Sequence, residues 1–148
     1  MSDIDKKPKA LRRAQDLTTT DRARMIRDLE FGSALGAETV AQLAESSRVI
    51  DVRRRRFVYR AGEEADALYA IASGRIKLCR IEPHTDREAV IDILPQGALF
   101  GESALYSTAA HGKTVLSLTR AACCLEFLPI NSNWRWRASP RFMNILSV

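Results

Sequence analysis

The segment Leu99–Tyr106 (LFGESALY) holds the residue types best suited to binding a small phosphorylated ligand. Gly101 permits a tight backbone turn, and Glu102, Ser103 and Ala104 are predicted to begin a short helical turn after it. Free backbone N–H groups at the start of such a turn suit a phosphate. The Glu102 carboxylate would accept hydrogen bonds from sugar hydroxyls, so the pair fits a ribose phosphate. A Gly-Glu pair is also common in plain turns, and spacing alone leaves both interpretations open.

No catalytic arrangement accompanies this segment, and the sequence predicts that the protein is not an enzyme. It contains no nucleophile elbow, no His-rich zinc motif and no Walker loop. His84 and His111 are the only histidines, and with Cys79 they are candidate ligands for a haem or another metal. They lack the spacing of known ligand motifs, so no metal site is predicted.

The three cysteines predict reduced thiols rather than a disulfide framework, because their number is small and odd. Cys123 and Cys124 are neighbours in a strand-like run. Successive side chains of a strand point to opposite faces, so these two thiols are not expected to hold one metal together.

The elements that must position Gly101 are predicted to be short strands. From Val49 onward, apolar and polar residues alternate in brief runs separated by turn residues, which indicates an antiparallel sandwich or barrel. In one run, Ala89, Ile91 and Ile93 form an apolar face. The predicted strands are Val49–Val52, Phe57–Arg60, Leu68–Ala72, Arg75–Glu82, Arg87–Leu94, Thr114–Leu118 and Ala122–Leu128.

Two short helices are predicted before the strands. The first carries an apolar stripe from Met25 to Leu29, with capping oxygens in Thr18–Asp21, and is predicted to end at Gly32. The second spans about Ala37–Ser46. Residues 1–20 are polar and basic and are predicted to form a flexible tail, which leaves residues 21–148 as one domain.

The net charge of +5 is concentrated in two basic clusters, Lys6–Arg13 and Arg53–Arg56. Such clusters suit nucleic acid or an acidic partner, and they are equally compatible with solvated charge that aids solubility. No apolar run approaches the roughly 20 residues that a membrane span needs. The N-terminus lacks the apolar stretch of a signal peptide, so a cytoplasmic location is expected, with no membrane partner.

Four glycines fall at the turns between predicted strands, and their spacing resembles that of the cyclic-nucleotide-binding (effector) domain of CRP/FNR regulators. The resemblance implies a mainly β fold, an antiparallel double-stranded β-helix or jelly roll with short α-helices at both ends. The glycines and the segments that carry the resemblance are Gly62, Gly74, Gly97 and Gly101, within Ala61–Ala65, Leu68–Leu78 and Leu94–Glu102, together with Leu128-Pro129.

The resemblance also implies a ligand site. In cyclic-nucleotide-binding members, the phosphate cassette begins with Gly-Glu and continues, after a short helix, to Arg, a hydroxyl residue and Ala. Gly101–Ala104 match the first half. A loop one residue longer places Lys113 at the Arg position and Thr114 at the hydroxyl position. The implied ligand-binding residues are therefore Gly101, Glu102, Ser103, Ala104, Lys113 and Thr114.

Lys113 is a departure from the family pattern with a physical consequence. Arginine offers a flat fork that binds a phosphate bidentately, whereas lysine is a strongly hydrated point charge. Losing one charge-assisted hydrogen bond costs on the order of 1.5–3 kcal/mol, or roughly ten- to a hundredfold in affinity. Tight binding of cAMP or cGMP is therefore not expected. The candidate ligands are cAMP, cGMP or another small effector, and no cofactor is predicted outright.

The function implied by the resemblance is that of a ligand-sensing module of a CRP/FNR-type transcription regulator. The alternative is a protein–protein interaction domain that kept the fold and lost its ligand. Full-length relatives continue into a dimerisation helix and a helix-turn-helix domain. Ser139–Leu146 looks like the start of that helix, so a homodimer is one expectation. No helix-turn-helix is visible, and DNA is expected as a partner only if one exists beyond Val148.

Overall fold

The computed structural model describes residues 17–101 and 110–127, which form three helices followed by eight strands. The helices are α1 (Thr19–Asp28), α2 (Glu30–Ser33) and α3 (Ala37–Ser46). The strands are β1 (Ser47–Arg53), β2 (Phe57–Tyr59), β3 (Leu68–Ser73), β4 (Ile76–Ile81), β5 (Glu88–Leu94), β6 (Leu99–Phe100), β7 (Thr114–Ser117) and β8 (Ala121–Phe127).

Three sequence predictions fall on parts of the chain outside the described residues. They are the tail over residues 1–16, the helical turn over Glu102–Tyr106 and the helix beginning at Ser139. The helix α1 begins at Thr19, before the predicted domain boundary at residue 21, because Thr18 caps it. The Thr18 hydroxyl accepts from the backbone N–H of Asp21, and the Asp21 carboxylate accepts from that of Thr18.

The strands form two four-stranded antiparallel sheets, and the predicted jelly-roll class is confirmed. One sheet has the order β1-β8-β3-β6 and the other β2-β7-β4-β5. Strands distant in sequence are neighbours in both sheets, so the chain crosses repeatedly between them. We call the first the central sheet, because it lies between the helices and the second sheet.

Both faces of the central sheet are buried. One face packs against the helices through Leu68, Leu125 and Phe127. The opposite face meets the second sheet through residues that include Ile71 and Cys124. Cys123 packs against the helical side and Cys124 lies in the other core, as the alternation along a strand predicts.

The helices pack as a layer on the central sheet. Ile26 of α1 and Leu43 of α3 are fully buried in the core they share with that sheet. The Arg22 guanidinium donates a 3.0 Å hydrogen bond from Nε to the carbonyl of Ala44, which ties α1 to the end of α3. None of the helices described here is long and apolar enough to cross a membrane.

The prediction that Gly32 ends the first helix is wrong. The helix α1 ends at Asp28, where Leu29 turns to an extended conformation, and Gly32 lies inside α2. A Cβ atom at Gly32 would lie 1.7 Å from the carbonyl oxygen of Ile26. Glycine stands here because α2 crosses the backbone of α1 at a distance that no side chain permits.

The strand β5 forms as predicted, but its apolar residues are not buried. Among the described strands it is the outer one of the second sheet, and it pairs there with β4 alone. Val90, Ile91 and Ile93 are 54%, 42% and 46% exposed, so both faces of β5 meet solvent. Alternation placed Ala89, Ile91 and Ile93 together, but the position of β5 at the sheet edge leaves that face uncovered.

Replacing Gly32 by Ala is expected to lower the free energy of unfolding by about 1–3 kcal/mol, because the backbone of α1 would have to move. Gly112→Ala is the matched control, since a Cβ atom there meets nothing within 4 Å. Urea unfolding followed by far-UV circular dichroism measures both. Equal midpoints for the two variants would contradict the close approach of α1 and α2.

Candidate ligand-binding site

Gly101 ends β6 in a conformation that only glycine adopts readily. Its φ is +82°, and a Cβ atom there would lie 2.9 Å from Cδ2 of Tyr69 and 3.1 Å from the carbonyl oxygen of Ala67. Both contacts are with the start of β3 and the residue before it. The backbone at Gly101 therefore passes too close to Tyr69 and Ala67 to accommodate a side chain.

Ala110, the residue after segment 102–109, forms an antiparallel bridge with Glu64. The N–H of His111 donates to the carbonyl of Glu63 at 2.8 Å, and the N–H of Gly62 donates to the carbonyl of His111 at 2.8 Å. Gly101 and Ala110, the two residues that flank segment 102–109, thus both lie against the part of the chain from residue 62 to residue 69.

The structure describes three of the six predicted ligand-binding residues. Gly101 ends β6, while exposed Lys113 immediately precedes Thr114, the first residue of β7. Thr114 is 3% exposed, and its hydroxyl accepts a 3.1 Å hydrogen bond from the N–H of Ala61. Glu102, Ser103 and Ala104 lie outside the described residues, and their roles stay predictions, as does the assignment of the whole set.

A cluster of aromatic rings connects the end of β6, next to Gly101, with the loop before β7. The ring of Tyr69 stacks on Phe100 with centroids 5.0 Å apart, and Tyr59 lies 5.8 Å from Tyr69. Tyr59 also stacks on His111, with ring centroids 3.5 Å apart and planes 9° from parallel. The cluster joins Phe100, next to Gly101, to His111, two residues before Lys113.

A buried carboxylate stands beside the cluster. Glu126 is 4% exposed and lies in register with Arg48 on one neighbouring strand and Tyr69 on the other. The Arg48 guanidinium donates to its Oε1 at 2.5 Å. Burial, followed by the negative charge of Glu126, raises the pKa of Tyr69 far above its ordinary value. Tyr69 therefore remains neutral and acts as a hydrogen-bond donor to the carboxylate.

Sequence reasoning missed this cluster and the buried carboxylate. The four rings come from four separate segments, and no local pattern joins them. Glu126 did leave a signal, because it stands in the apolar run Ala121–Leu128 at the same parity as Cys124. That parity places Glu126 on the same buried face of β8 as Cys124, where a carboxylate needs hydrogen-bond partners.

Burial makes the thiols poor nucleophiles and poor metal ligands. It raises the pKa of Cys123 to about 11, with a further contribution from Asp51. It also raises the pKa values of Cys79 and Cys124. Within residues 17–101 and 110–127, no three His, Cys, Asp or Glu side chains gather as a metal site would require. The prediction that the chain holds no metal remains a prediction.

Residues 49–128, more than half of the chain, match the sequence model of the family described as "Cyclic nucleotide-binding domain". The chain belongs to this family. The resemblance to the CRP/FNR effector domain is confirmed by the relatives of this cyclic nucleotide-binding domain. The family is a regulatory binding domain and not a catalytic one.

Among curated proteins, this cyclic nucleotide-binding domain is similar to the CRP-like cAMP-activated global transcriptional regulator of Mycobacterium tuberculosis. The two are 29% identical over 80 residues, which cover 54% of this chain and 35% of the regulator. The chain thus spans about a third of the length of the curated relative it matches.

Solved structures confirm the fold. The sensor domain of the regulator DNR from Pseudomonas aeruginosa superposes with a TM-score of 0.70 at 19% identity, over 87% of this chain and 86% of that one. The regulatory domain of Toxoplasma gondii PKA, solved with cAMP, gives 0.72 at 16% identity, over 87% and 48%. The N-terminal domain of a Streptomyces coelicolor transcriptional regulator gives 0.64 at 24%, over 83% and 85%.

Replacing Gly101 by Ala is expected to destabilise the domain more than replacing Gly97 by Ala. Both glycines have a positive φ, +82° and +90°, so each substitution carries a similar backbone strain. A Cβ atom at Gly97 meets nothing within 4 Å, whereas at Gly101 it meets Tyr69 and Ala67. The difference in unfolding free energy is expected to be about 1–3 kcal/mol. Indistinguishable urea midpoints would refute the contact.

The interaction between Tyr69 and Glu126 is expected to appear in a double-mutant cycle with Tyr69→Phe and Glu126→Gln. A hydrogen bond to a charged group predicts a coupling free energy of about 1.5–3 kcal/mol. Urea unfolding of the four proteins measures it. A coupling near zero would show that Arg48 alone compensates the buried carboxylate.

Proposed function

We propose that this domain binds a cyclic nucleotide, or another small effector with a ribose phosphate, between the segment after Gly101 and the start of β7. It would thereby act as the sensing module of a CRP/FNR-type transcription regulator. One observation carries the proposal. Gly101 and Ala110, which flank segment 102–109, both lie against residues 62–69, and a solvent-exposed cation, Lys113, follows three residues after Ala110.

Each predicted site residue has a chemical role in the proposal. The backbone N–H groups of Ser103 and Ala104 would donate to the phosphate, and the Glu102 carboxylate would accept from the ribose hydroxyl. Lys113 supplies the positive charge. The Thr114 hydroxyl accepts from Ala61, and a hydroxyl that accepts one hydrogen bond retains a proton to donate to a phosphate oxygen.

Two relatives support a cyclic nucleotide as the first ligand to test. The M. tuberculosis regulator is named as cAMP-activated, and the T. gondii PKA domain was solved with cAMP. The transcriptional role is part of the proposal as well, because the matched region covers 35% of that regulator. Contact with DNA, and a dimer that would make it, belong to the same proposal.

Lys113→Arg is expected to strengthen cAMP or cGMP binding by roughly ten- to a hundredfold, because the guanidinium restores a bidentate phosphate contact. Lys113→Gln is expected to weaken it. Isothermal titration calorimetry of the full chain with cAMP, cGMP and 5′-AMP measures the three affinities. Arg27→Gln is the matched control, since Arg27 is an exposed cation in the last turn of α1 that the proposal does not place at the ligand.

The titration also decides whether the site exists. If neither the unmodified chain nor Lys113→Arg gives heat or a thermal shift at millimolar nucleotide, the proposal fails. If Lys113→Arg and Arg27→Gln change the affinity equally, Lys113 is not at the phosphate. In that case the match of this loop to the family cassette is wrong.

The alternative is a domain that retained the roll and binds protein instead of a small ligand. The exposed apolar residues of β5 favour it, because an edge strand with free backbone groups is a template for pairing with another chain. Specific binding of a cyclic nucleotide by the unmodified chain would count against this alternative.

A further inference from the structure

Three turns meet at the end of the roll opposite Gly101. The turn between β1 and β2 is hydrogen-bonded to the turn between β7 and β8, with the N–H of Arg54 donating to the carbonyl of Arg120 at 3.2 Å. The N–H of Arg55 donates to the carbonyl of Ser117 at 2.8 Å. These bonds join two loops that are more than sixty positions apart in the sequence.

The turn between β3 and β4 is joined to the same group. The N–H of Leu118 donates to the carbonyl of Arg75 at 3.0 Å, and the N–H of Arg75 donates to the hydroxyl of Thr119 at 3.2 Å. A Cβ atom at Gly74 would lie 2.7 Å from that hydroxyl and 2.9 Å from the carbonyl of Ala121. We call residues 53–56, 74–75 and 118–120 together the arginine turns.

The arginine turns concentrate positive charge without a compensating carboxylate. They contain no acidic residue, and all six of their arginines are exposed. The ion pairs recorded among described residues, Arg48–Glu126 and Lys77–Glu88, lie elsewhere, and the further contacts of described residues involve none of the six. The six are Arg53, Arg54, Arg55, Arg56, Arg75 and Arg120.

The backbone that carries these arginines is held in place. Arg55 adopts a left-handed conformation with φ of +65°, fixed by its hydrogen bond to Ser117. The neighbouring turn is held by the hydrogen bonds between Arg75 and residues Leu118 and Thr119. Charged groups on a fixed backbone lose less conformational entropy on binding than the same groups on a flexible tail.

The composition of the arginine turns indicates which polyanion they fit. A lipid surface or a protein partner calls for protruding apolar or aromatic anchors. Leu118, the one large apolar residue of these turns, is half-buried. Exposed arginine guanidinium groups, whose planar fork matches phosphate oxygens, are typical of phosphodiester binding when no apolar side chain protrudes beside them.

We infer that the arginine turns bind the phosphodiester backbone of nucleic acid, without sequence preference. The surface lies at the far end of the central sheet from Gly101, so it does not depend on the proposed effector site. Neutralising several phosphates releases counterions, and the slope of log affinity against log salt is about −0.9 per contact with duplex DNA.

Fluorescence anisotropy with a labelled duplex of about 20 base pairs, titrated at several salt concentrations, measures that slope. The triple variant Arg54→Gln, Arg56→Gln, Arg120→Gln is expected to lower the slope by roughly one per arginine and the affinity on the order of tenfold or more. The matched control removes three exposed arginines elsewhere, as Arg27→Gln, Arg80→Gln, Arg87→Gln. Its slope is expected to remain unchanged.

Two further measurements test folding and the contribution of the basic tail. Circular dichroism and urea midpoints establish that both triple variants fold as the unmodified chain does. A variant with Lys6, Lys7 and Lys9 changed to Gln tests the basic tail. If this variant loses binding while the arginine-turn variant keeps it, the inference is overturned. Equal losses in the two triple variants, or preference for phosphatidylserine vesicles over the duplex, would overturn it too.

Discussion

The fold depends on the central sheet being buried on both faces. Its strand β8 lies between β1 and β3, so each successive side chain belongs to a different core. Leu125 and Phe127 pack towards the helices, while Cys124 packs towards the second sheet. The helices are too short to be stable alone, and the sheet face beneath them would be exposed without them. The helices and the second sheet are therefore both needed to bury the side chains of β8.

Glu126 is the polar exception in this strand, and its partners lie at the end of the roll near Gly101. Burying a carboxylate is costly unless it is paired, and Arg48 and Tyr69 supply the partners from the strands on either side. Tyr69 also stacks on Phe100 and contacts the chain at Gly101. One side chain thus compensates the buried charge and packs against Phe100 and Gly101 at the end of β6, so the two features are physically joined.

The sequence was sufficient for most of the strands, because the alternation of apolar residues is a local property. It was not sufficient for the exposure of β5, since Ile91 and Ile93 have the pattern of a half-buried strand and strand order alone decides what covers them. Gly32 was misread for a similar reason. Glycine is typical of a helix end, and nothing local reveals that Ile26 approaches it.

Some residues near the candidate site can be recognised from the local sequence, whereas others depend on contacts between distant segments. Gly101 was identified from its neighbours in sequence, and its positive φ is a conformation that glycine adopts readily. The stacking of Tyr59, the last residue of β2, on His111, which lies before β7, joins residues that are distant in sequence, and no spacing rule predicts it. Glu126 lies between these cases, because its parity was visible while its partners on β1 and β3 were not.

The two ends of the central sheet differ in whether their arginines form an ion pair with a carboxylate. At the end near Gly101, Arg48 is paired with Glu126, whereas the arginine turns have no such partner within residues 17–101 and 110–127. The seven residues of β1 that separate these ends span roughly 20 Å, more than two Debye lengths of about 8 Å at physiological salt. Most of the field of the arginine turns is screened over that distance in solvent. The proposed phosphate near Gly101 would therefore depend on charge supplied nearby, and the exposed Lys113 before β7 is the cation that the proposal assigns to it.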